Sequence, residues 1–393
     1  MRHTSMTLGV VMAAMVVASA CGTPAVSENE APAMEITGDE TGVPIFEYDP
    51  TWPRRPMANA AIFGAVMAID VDDDDNVWVM HWPHWLGQTD NSAVFGRGDC
   101  CNPLPFVTKF NLDGELLDAW GEADDPNLVA PGFQWAVQRG GAHGIYIDYA
   151  GNVWTGSHTP GATYQGAYAN LAKFTNDGTF IMQKGAFGQS AGNADTDNFG
   201  QPTGIVVDEA TNEAFIADGY DNRRVIVIDA DTMEFKRMWG AYGNEPIDGP
   251  LPARADGEPS QQFTGVHCIK MSNDGLLYVC DRPNNRVQVF QKDGTFVQEG
   301  FVGVETDAGT VADVALSSDP EQRFLYVGDG VNRKVWILRR DTLETVGSFG
   351  NGGNYGGEFA YIHALATDSQ GNVYVGEHSN GHRAQRFKIT GFE

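Results

Sequence analysis

One pattern recurs six times along the chain and constrains its fold more than any other feature. Each copy has an apolar strand, a turn rich in Asp, Asn and Gly, and a second strand rich in Val, Tyr and Trp. The copies cover residues 66–82, 143–158, 203–220, 267–282, 312–329 and 363–378. Short strands that alternate with turn residues indicate antiparallel sheet, and their regular return indicates one supersecondary unit per copy.

The segments that follow these copies complete the unit. Most copies lead into a third strand, a second turn and a fourth strand, as in RVIVIDADTMEFKRMWG at 224–240. Six four-stranded units with almost no helical periodicity predict an all-β, six-bladed β-propeller. The last copy has room for only three strands, so we expect PIFEYDPTW at 44–52 to supply its outer strand and close the ring. A β-sandwich is the competing architecture.

The first 43 residues differ in composition from the repeats. A basic Arg2 precedes a short apolar run at 8–17, and three small residues at 18–20 precede Cys21. This order is typical of an export signal over residues 1–20, with Cys21 as the lipidated first residue of a lipoprotein. An ordinary cleaved secretory signal is the alternative.

Residues 21–43 contain almost no bulky apolar side chains, which predicts a flexible acidic tether before a propeller over 44–393. We therefore expect an exported lipoprotein of the cell envelope, at the outer membrane or facing the periplasm, and otherwise a secreted protein.

The net charge of −27 limits the possible partners. A surface this acidic repels nucleic acid and anionic lipid. We expect no nucleic-acid partner, membrane contact only through a lipidated Cys21, a monomeric chain, and a small-molecule or peptide substrate.

Four further cysteines leave two questions open. Cys268 and Cys280 flank a predicted hairpin and can face each other across it, and export permits disulfides. The adjacent Cys100 and Cys101 form either a vicinal disulfide or a pair of free thiols.

Three of the nine histidines share one position of the repeat. His143, His267 and His363 begin the first strand of copies two, four and six. Alternate blades of a six-fold ring lie about 120° apart, so equivalent positions on them point at one spot on the axis. Three neutral imidazoles with an open fourth position are typical of catalytic zinc, and iron, cobalt or copper are other possible metals.

Other residues near these positions are candidates to line the site. Thr203 begins the first strand of copy three, where Ala312 and Met67 hold the corresponding places in copies five and one. His81 and Trp82, in the stretch HWPHW at 81–85, end the second strand of copy one and either line the channel mouth or pack within a loop.

The repeats resemble NHL-type propeller repeats, and at these residues the chain is similar to the lyase domain of peptidylglycine amidating enzymes, peptidylamidoglycolate lyase. The similarity runs from about residue 60 to the C-terminus and is strongest in NFGQPTGIVVDEATNEAFIADGYDNRRVIVID at 198–229. The resemblance implies a zinc ion held by three histidines and cleavage of a peptidyl α-hydroxyglycine to a peptide amide and glyoxylate. It also implies that Tyr220 is the catalytic base and that Arg282 is an active-site arginine.

Physical chemistry gives these two residues plausible roles. The metal and a nearby guanidinium are expected to lower the pKa of the Tyr220 phenol so that it can take the substrate hydroxyl proton. Arg282 is expected to hold a carboxylate or to stabilise a phenolate.

Two departures from the family pattern limit this transfer. Trp82 replaces an arginine that lies beside the catalytic tyrosine, and Ala364 replaces an aspartate that binds a structural calcium, so calcium is doubtful here.

The sequence therefore favours a zinc-dependent, lyase-like propeller enzyme. A non-catalytic cell-surface propeller that binds protein or glycan is the main alternative, and a propeller that hydrolyses lactones or esters is a third.

Overall fold

The computed structural model describes residues 42–83, 100–121, 141–157, 170–186, 189–251 and 258–393. The expected signal over 1–20, Cys21 and nearly all of the tether lie outside these ranges, so their assignment stays a prediction. Within the described ranges, the ordered elements are β-strands and three short 3₁₀ helices at Ala58–Ala60, Ala241–Gly243 and Arg282–Asn284. No helix in the described part of the chain is long and apolar enough to span a bilayer.

The strands form six four-stranded antiparallel sheets. Strand β1 (Pro44–Asp49) is the first in the described part of the chain, and short β2 (Ala61–Ile62) pairs in parallel with β5 (Asn102–Pro103). Blade one has β3 (Ala65–Val71), β4 (Val77–Trp82), β6 (Val107–Phe110) and β7 (Leu116–Trp120). Blade two has β8 (Ala142–Ile147), β9 (Val153–Ser157), β10 (Leu171–Phe174) and β11 (Phe180–Lys184). Blade three has β12 (Pro202–Asp208), β13 (Glu213–Asp218), β14 (Arg224–Asp229) and β15 (Phe235–Trp239).

The second half of the chain repeats this arrangement. Blade four has β16 (Val266–Met271), β17 (Leu277–Asp281), β18 (Arg286–Phe290) and β19 (Phe296–Phe301). Blade five has β20 (Asp313–Leu316), β21 (Phe324–Asp329), β22 (Lys334–Arg339) and β23 (Thr345–Phe349). Short β24 (Asn351–Gly352) pairs in parallel with β25 (Glu358–Phe359), and β26 (Ile362–Thr367), β27 (Val373–Glu377) and β28 (Arg383–Phe392) belong to blade six.

The first strands of the six blades form the inner ring. Each of β3, β8, β12, β16, β20 and β26 contacts the first strand of the next blade, and β26 contacts β3 again. The predicted six-bladed propeller is therefore confirmed, and its axis is bordered by the strands that carry the three histidines.

The ring closes where the sequence predicts. Strand β1 pairs antiparallel with β28, with Pro44 opposite Phe392 and Asp49 opposite Arg386. The Nε–H of Arg386 donates to the buried Asp49 carboxylate at 2.8 Å. The outer strand of blade six therefore comes from the other end of the propeller sequence and pairs with the outer side of β28.

Acidic residues at the first turn of several blades stabilise the repeat. The carboxylate of Asp72 accepts the indole N–H of Trp78 at 2.8 Å, and that of Asp148 accepts the indole N–H of Trp154 at 2.8 Å. Asp72 also accepts the backbone N–H of Asn76. The first aspartate of the acidic run at 72–75 therefore holds a hairpin turn.

The aspartates that end the second strands have a similar structural role. Asp218 accepts the Nε–H of Arg224, and Asp281 accepts the Nε–H of Arg286, with all four side chains fully buried. Because a buried charge needs a partner, these pairs stabilise the blades internally.

Both cysteine pairs that the sequence left open form disulfides. Cys268 and Cys280 lie directly opposite each other on β16 and β17, with their Cα atoms 4.9 Å apart. Cys100 and Cys101 are bonded to each other.

Candidate metal centre

Three inner strands bring the predicted metal ligands together. His143 lies on β8, His267 on β16 and His363 on β26, and all three side chains are buried. One ring nitrogen of each histidine lies within 4.8 Å of those of the other two. Their ring centroids are 4.8 to 4.9 Å apart. Alternate blades therefore supply one compact cluster of imidazoles.

Backbone carbonyls of the other three blades orient these rings. The Nδ1–H of His143 donates to the carbonyl of Thr203 at 3.2 Å. That of His267 donates to Ala312 at 2.5 Å, and that of His363 donates to Met67 at 2.8 Å. A hydrogen bond at Nδ1 fixes the tautomer and leaves the Nε2 lone pair for a ligand.

The electrostatic environment favours the neutral form of His267. Burial, followed by the charges of Arg282, His143 and His363, lowers the pKa of His267 well below its ordinary value. Metals bind neutral imidazole, so three rings fixed at Nδ1 with converging Nε2 atoms fit a transition-metal ion. The donor set is all nitrogen, which suits zinc as well as copper, iron or nickel.

Tyr220 and Arg282 lie against the same atoms. The Tyr220 Oη lies 3.2 Å from Nε2 of His143 and 3.1 Å from Nε2 of His267. Arg282 donates to Nε2 of His267 at 2.8 Å, and its guanidinium lies 5.5 Å from the centre of the Tyr220 ring. The structure thus gathers all five residues that the sequence assigned to metal binding and catalysis.

The protein alone does not lower the pKa of Tyr220. Burial raises the pKa of this phenol, and the charge and hydrogen bond of Arg282 offset that effect only in part. The decrease in the Tyr220 pKa that we expect from the sequence requires a cation at the histidines in addition to the Arg282 guanidinium. Burial outweighs the guanidinium acting by itself, because it removes water from the phenolate.

The three residues expected to line the substrate site occupy different places. The Thr203 hydroxyl lies within hydrogen-bonding distance of the carbonyls of Ala217 and Val266, at 3.0 and 2.8 Å, so its backbone rather than its side chain serves the centre. His81 is fully buried, accepts the backbone N–H of Gly64 at 3.0 Å and packs against Phe63.

Trp82 is also buried, but it contacts the residue before His143 and the ring of His378. Its indole N–H donates to the carbonyl of Ala142 at 2.8 Å, and its ring is 5.9 Å from that of His378. At the family's arginine position, this chain therefore has a ring that is held by the backbone of blade two.

Sequence reasoning missed two residues at this mouth. The His378 ring is 5.3 Å from His363, and Tyr361 is 6.2 Å from His378. Burial lowers the pKa of His378 to about 4, helped by His382 and Arg282. His378 follows the second strand of its blade directly, as Arg282 does in blade four. The repeat alignment that found the three ligands could therefore have found His378.

The space beside the centre is small. A cavity of about 230 Å³ lies on one side, lined by Tyr220, Thr264, His267, Arg282 and Pro283 among others. It offers room for a small substrate, or for the end of a larger one, directly beside the Nε2 atom of His267.

Charged side chains occupy the channel on the other side of the histidines. Asp313 and Lys270 line a narrow space of about 30 Å³ next to the histidines, and Lys270 and Asp70 line the wider cavity beyond it. Burial raises the pKa of Asp70 to about 6, and Lys270 opposes the effect. Burial also raises the pKa of Asp313.

The position of the family's calcium ligand is apolar in this chain. Ala364 is buried in a cluster with Val66 and Ile69. The residue after the third histidine therefore has no side-chain oxygen to offer as a ligand.

Comparison with known proteins agrees with this architecture. The NHL repeat model matches residues 263–290, which cover most of blade four. Peptidyl-glycine alpha-amidating monooxygenase B of Xenopus laevis is 30% identical over 248 residues, which are 61% of this chain and 25% of the relative. Peptidylglycine alpha-amidating monooxygenase of Rattus norvegicus is 26% identical over 317 residues, 75% of this chain and 29% of the relative.

The chain spans between 25% and 29% of the length of these two relatives. Among solved structures, virginiamycin B lyase from Staphylococcus aureus aligns with 83% of this chain and 85% of its own. The TM-score of this alignment is 0.44 and the sequence identity is 15%. The chain is thus a six-bladed propeller with an NHL repeat, similar in sequence to the peptidylglycine α-amidating monooxygenases.

Proposed function

We propose that this protein is a metal-dependent lyase that cleaves the carbon–nitrogen bond of peptidyl α-hydroxyglycines, releasing a peptide amide and glyoxylate. The observation that carries the proposal is the position of Tyr220 and Arg282. They come from blades three and four, yet both reach the Nε2 atom of His267, at 3.1 and 2.8 Å. The names of the relatives, which describe amidation of peptidylglycine, support the same chemistry.

The three histidines would hold the metal, with zinc as the first candidate. When bound there, a divalent cation supplies Lewis acidity that lowers the pKa of a substrate hydroxyl. The backbone carbonyls of Thr203 and Ala312 keep the rings of His143 and His267 turned toward it.

Tyr220 would act as the base. As phenolate, its Oη accepts the hydroxyl proton of the substrate, the C–O bond becomes a carbonyl, and the C–N bond breaks. The bonding pair leaves with the nitrogen, which takes up a proton and becomes the amide. Because burial disfavours the phenolate, the nearby guanidinium of Arg282 is needed to stabilise it.

Arg282 would also bind the substrate carboxylate. A planar guanidinium suits a carboxylate through two parallel hydrogen bonds. A substrate held this way lies in the cavity that Tyr220 and Arg282 share.

The test is glyoxylate release from a peptidyl α-hydroxyglycine by the zinc-loaded protein. We expect turnover in the wild type and a decrease in kcat of about 10² to 10⁴ in Tyr220→Phe, because the base is lost while the metal remains. Zinc content, measured by elemental mass spectrometry, should not change in this variant. Tyr355→Phe is the matched control, since Tyr355 is 81% exposed.

Wild-type protein that holds one zinc per chain and releases no glyoxylate would refute the proposal.

A further inference from the structure

The mouth above the three histidines has two unlike sides. Blades three and four supply the polar side, with Tyr220 and Arg282. Blades six and one supply Tyr361, His378 and Trp82, whose rings follow one another at centroid distances of 6.2 and 5.9 Å. We call these three rings the aromatic wall.

The aromatic wall is held in place from behind. Trp82 is 1% exposed, and its indole N–H is bonded to the Ala142 carbonyl. The backbone N–H of His378 donates to the carbonyl of Tyr361 at 3.1 Å, which ties the two outer rings together. Tyr361 and His378 are partly exposed, so they form the surface that a ligand would meet.

The aromatic wall borders the reacting groups. The His378 ring lies 5.3 Å from the ligand His363. Arg282 and His378 each directly follow the second strand of their blade, and Trp82 ends that strand in blade one. These positions lie at the same end of the channel. The polar side and the aromatic wall therefore face the same space.

We propose that Tyr361 and His378, supported by Trp82, form the subsite for an aromatic acyl group on the nitrogen whose bond breaks. This rests on the proposed function and names its substrate class, N-aroyl α-hydroxyglycines and peptides with an aromatic residue before the hydroxyglycine. Arg282 would hold the carboxylate at the other end of such a substrate. The rings of Tyr361 and His378 meet at 64°, so together they offer an edge and a face to a third ring.

The experiment compares N-benzoyl- and N-acetyl-α-hydroxyglycine as substrates of the zinc-loaded full chain. Contacts to one or two rings predict that kcat/KM favours the benzoyl compound by about tenfold or more. Tyr361→Leu and His378→Leu should each lower this preference several-fold, to about threefold or less. Tyr355→Leu, a change at an exposed tyrosine between β24 and β25, should keep it.

Equal rates for both substrates in the wild type would overturn the subsite. Equal losses with both substrates in the two variants would overturn it as well, because the rings would then serve only to support His363.

A binding measurement separates this proposal from the lyase reaction. Calorimetry with N-benzoylglycine and N-acetylglycine, which lack the hydroxyl and do not react, reports the subsite without turnover. If no glyoxylate forms but N-benzoylglycine binds more tightly and Tyr361→Leu removes the difference, the subsite stands and the lyase fails. If glyoxylate forms with no preference in rate or in binding, the lyase stands and the subsite fails.

Discussion

The blades with even numbers and those with odd numbers build the same centre by different means. Blades two, four and six provide imidazole side chains, whereas blades one, three and five provide backbone carbonyls that accept the Nδ1–H of each ring. A side chain is specified by the sequence, but every residue has a carbonyl. The even blades therefore need histidine, while the odd blades can carry Met67, Thr203 and Ala312 at the corresponding place.

The largest expected effect comes from an even blade. His267→Ala removes one of three ligands, so metal affinity should fall by more than the roughly 10- to 100-fold that the loss of an outer partner costs. Equilibrium dialysis against zinc measures it. Affinity within threefold of the wild type would mean that the three rings do not form the binding site.

A change in the scaffold of an even blade should lower stability without changing metal binding by the histidines. The Cys268–Cys280 disulfide has a sequence separation of 12, so the double variant Cys268→Ala/Cys280→Ala should lose about 3 kcal/mol in the free energy of unfolding. Chemical denaturation under non-reducing conditions tests this. Zinc content should stay near one per chain, and its loss would show that His267 depends on the disulfide for its position.

The matched change on an odd blade should be small. Met67→Leu keeps the carbonyl that orients His363, and swaps of similar volume cost less than about 1.5 kcal/mol. Zinc affinity should match that of the wild type. A loss as large as that of His267→Ala would contradict the division between side chains and carbonyls.

The smallest effect concerns the charged half of the channel, where odd blades do contribute side chains. Asp70 has a pKa of about 6 in the folded protein and 3.8 as its ordinary value. The folded state therefore binds this proton more tightly, and the contribution of Asp70 to stability rises as the pH falls from 7 towards 4. The free energy of unfolding of Asp70→Asn, relative to that of the wild type, should accordingly be higher at pH 7 than at pH 4.5.

Denaturation of both proteins at pH 4.5 and 7 would measure this difference, with Asp73→Asn at an exposed turn as the control. If the change in the free energy of unfolding caused by Asp70→Asn is the same at both pH values, Asp70 does not titrate between them and the prediction is wrong.

The sequence predicts the parts of the molecule that repeat. Period-two strands with turn residues specify the blades, and one shared repeat position specifies the three histidines. It cannot show which carbonyl each Nδ1–H meets, because that contact depends on the next blade in space. The sequence likewise cannot show that the pKa of Tyr220 is raised, because this shift follows from burial.

His81 and Trp82 show the same limit at the scale of one residue. They are neighbours at the end of β4, so their side chains point to opposite faces of the sheet. One packs against Phe63 and the other faces His378. The expectation that both residues line the site is inconsistent with this alternation of side chains along a strand.

The seam of the ring gives the metal centre a place in the order of folding. His363 donates to the carbonyl of Met67, 296 residues earlier, beside the β1–β28 pairing that joins the two ends. A growing chain that has folded only its first five blades thus has His143 and His267. It still lacks His363, the ligand that contacts Met67 of blade one. Tight metal binding would then require the closed ring, and the bound ion would stabilise the closed ring against opening.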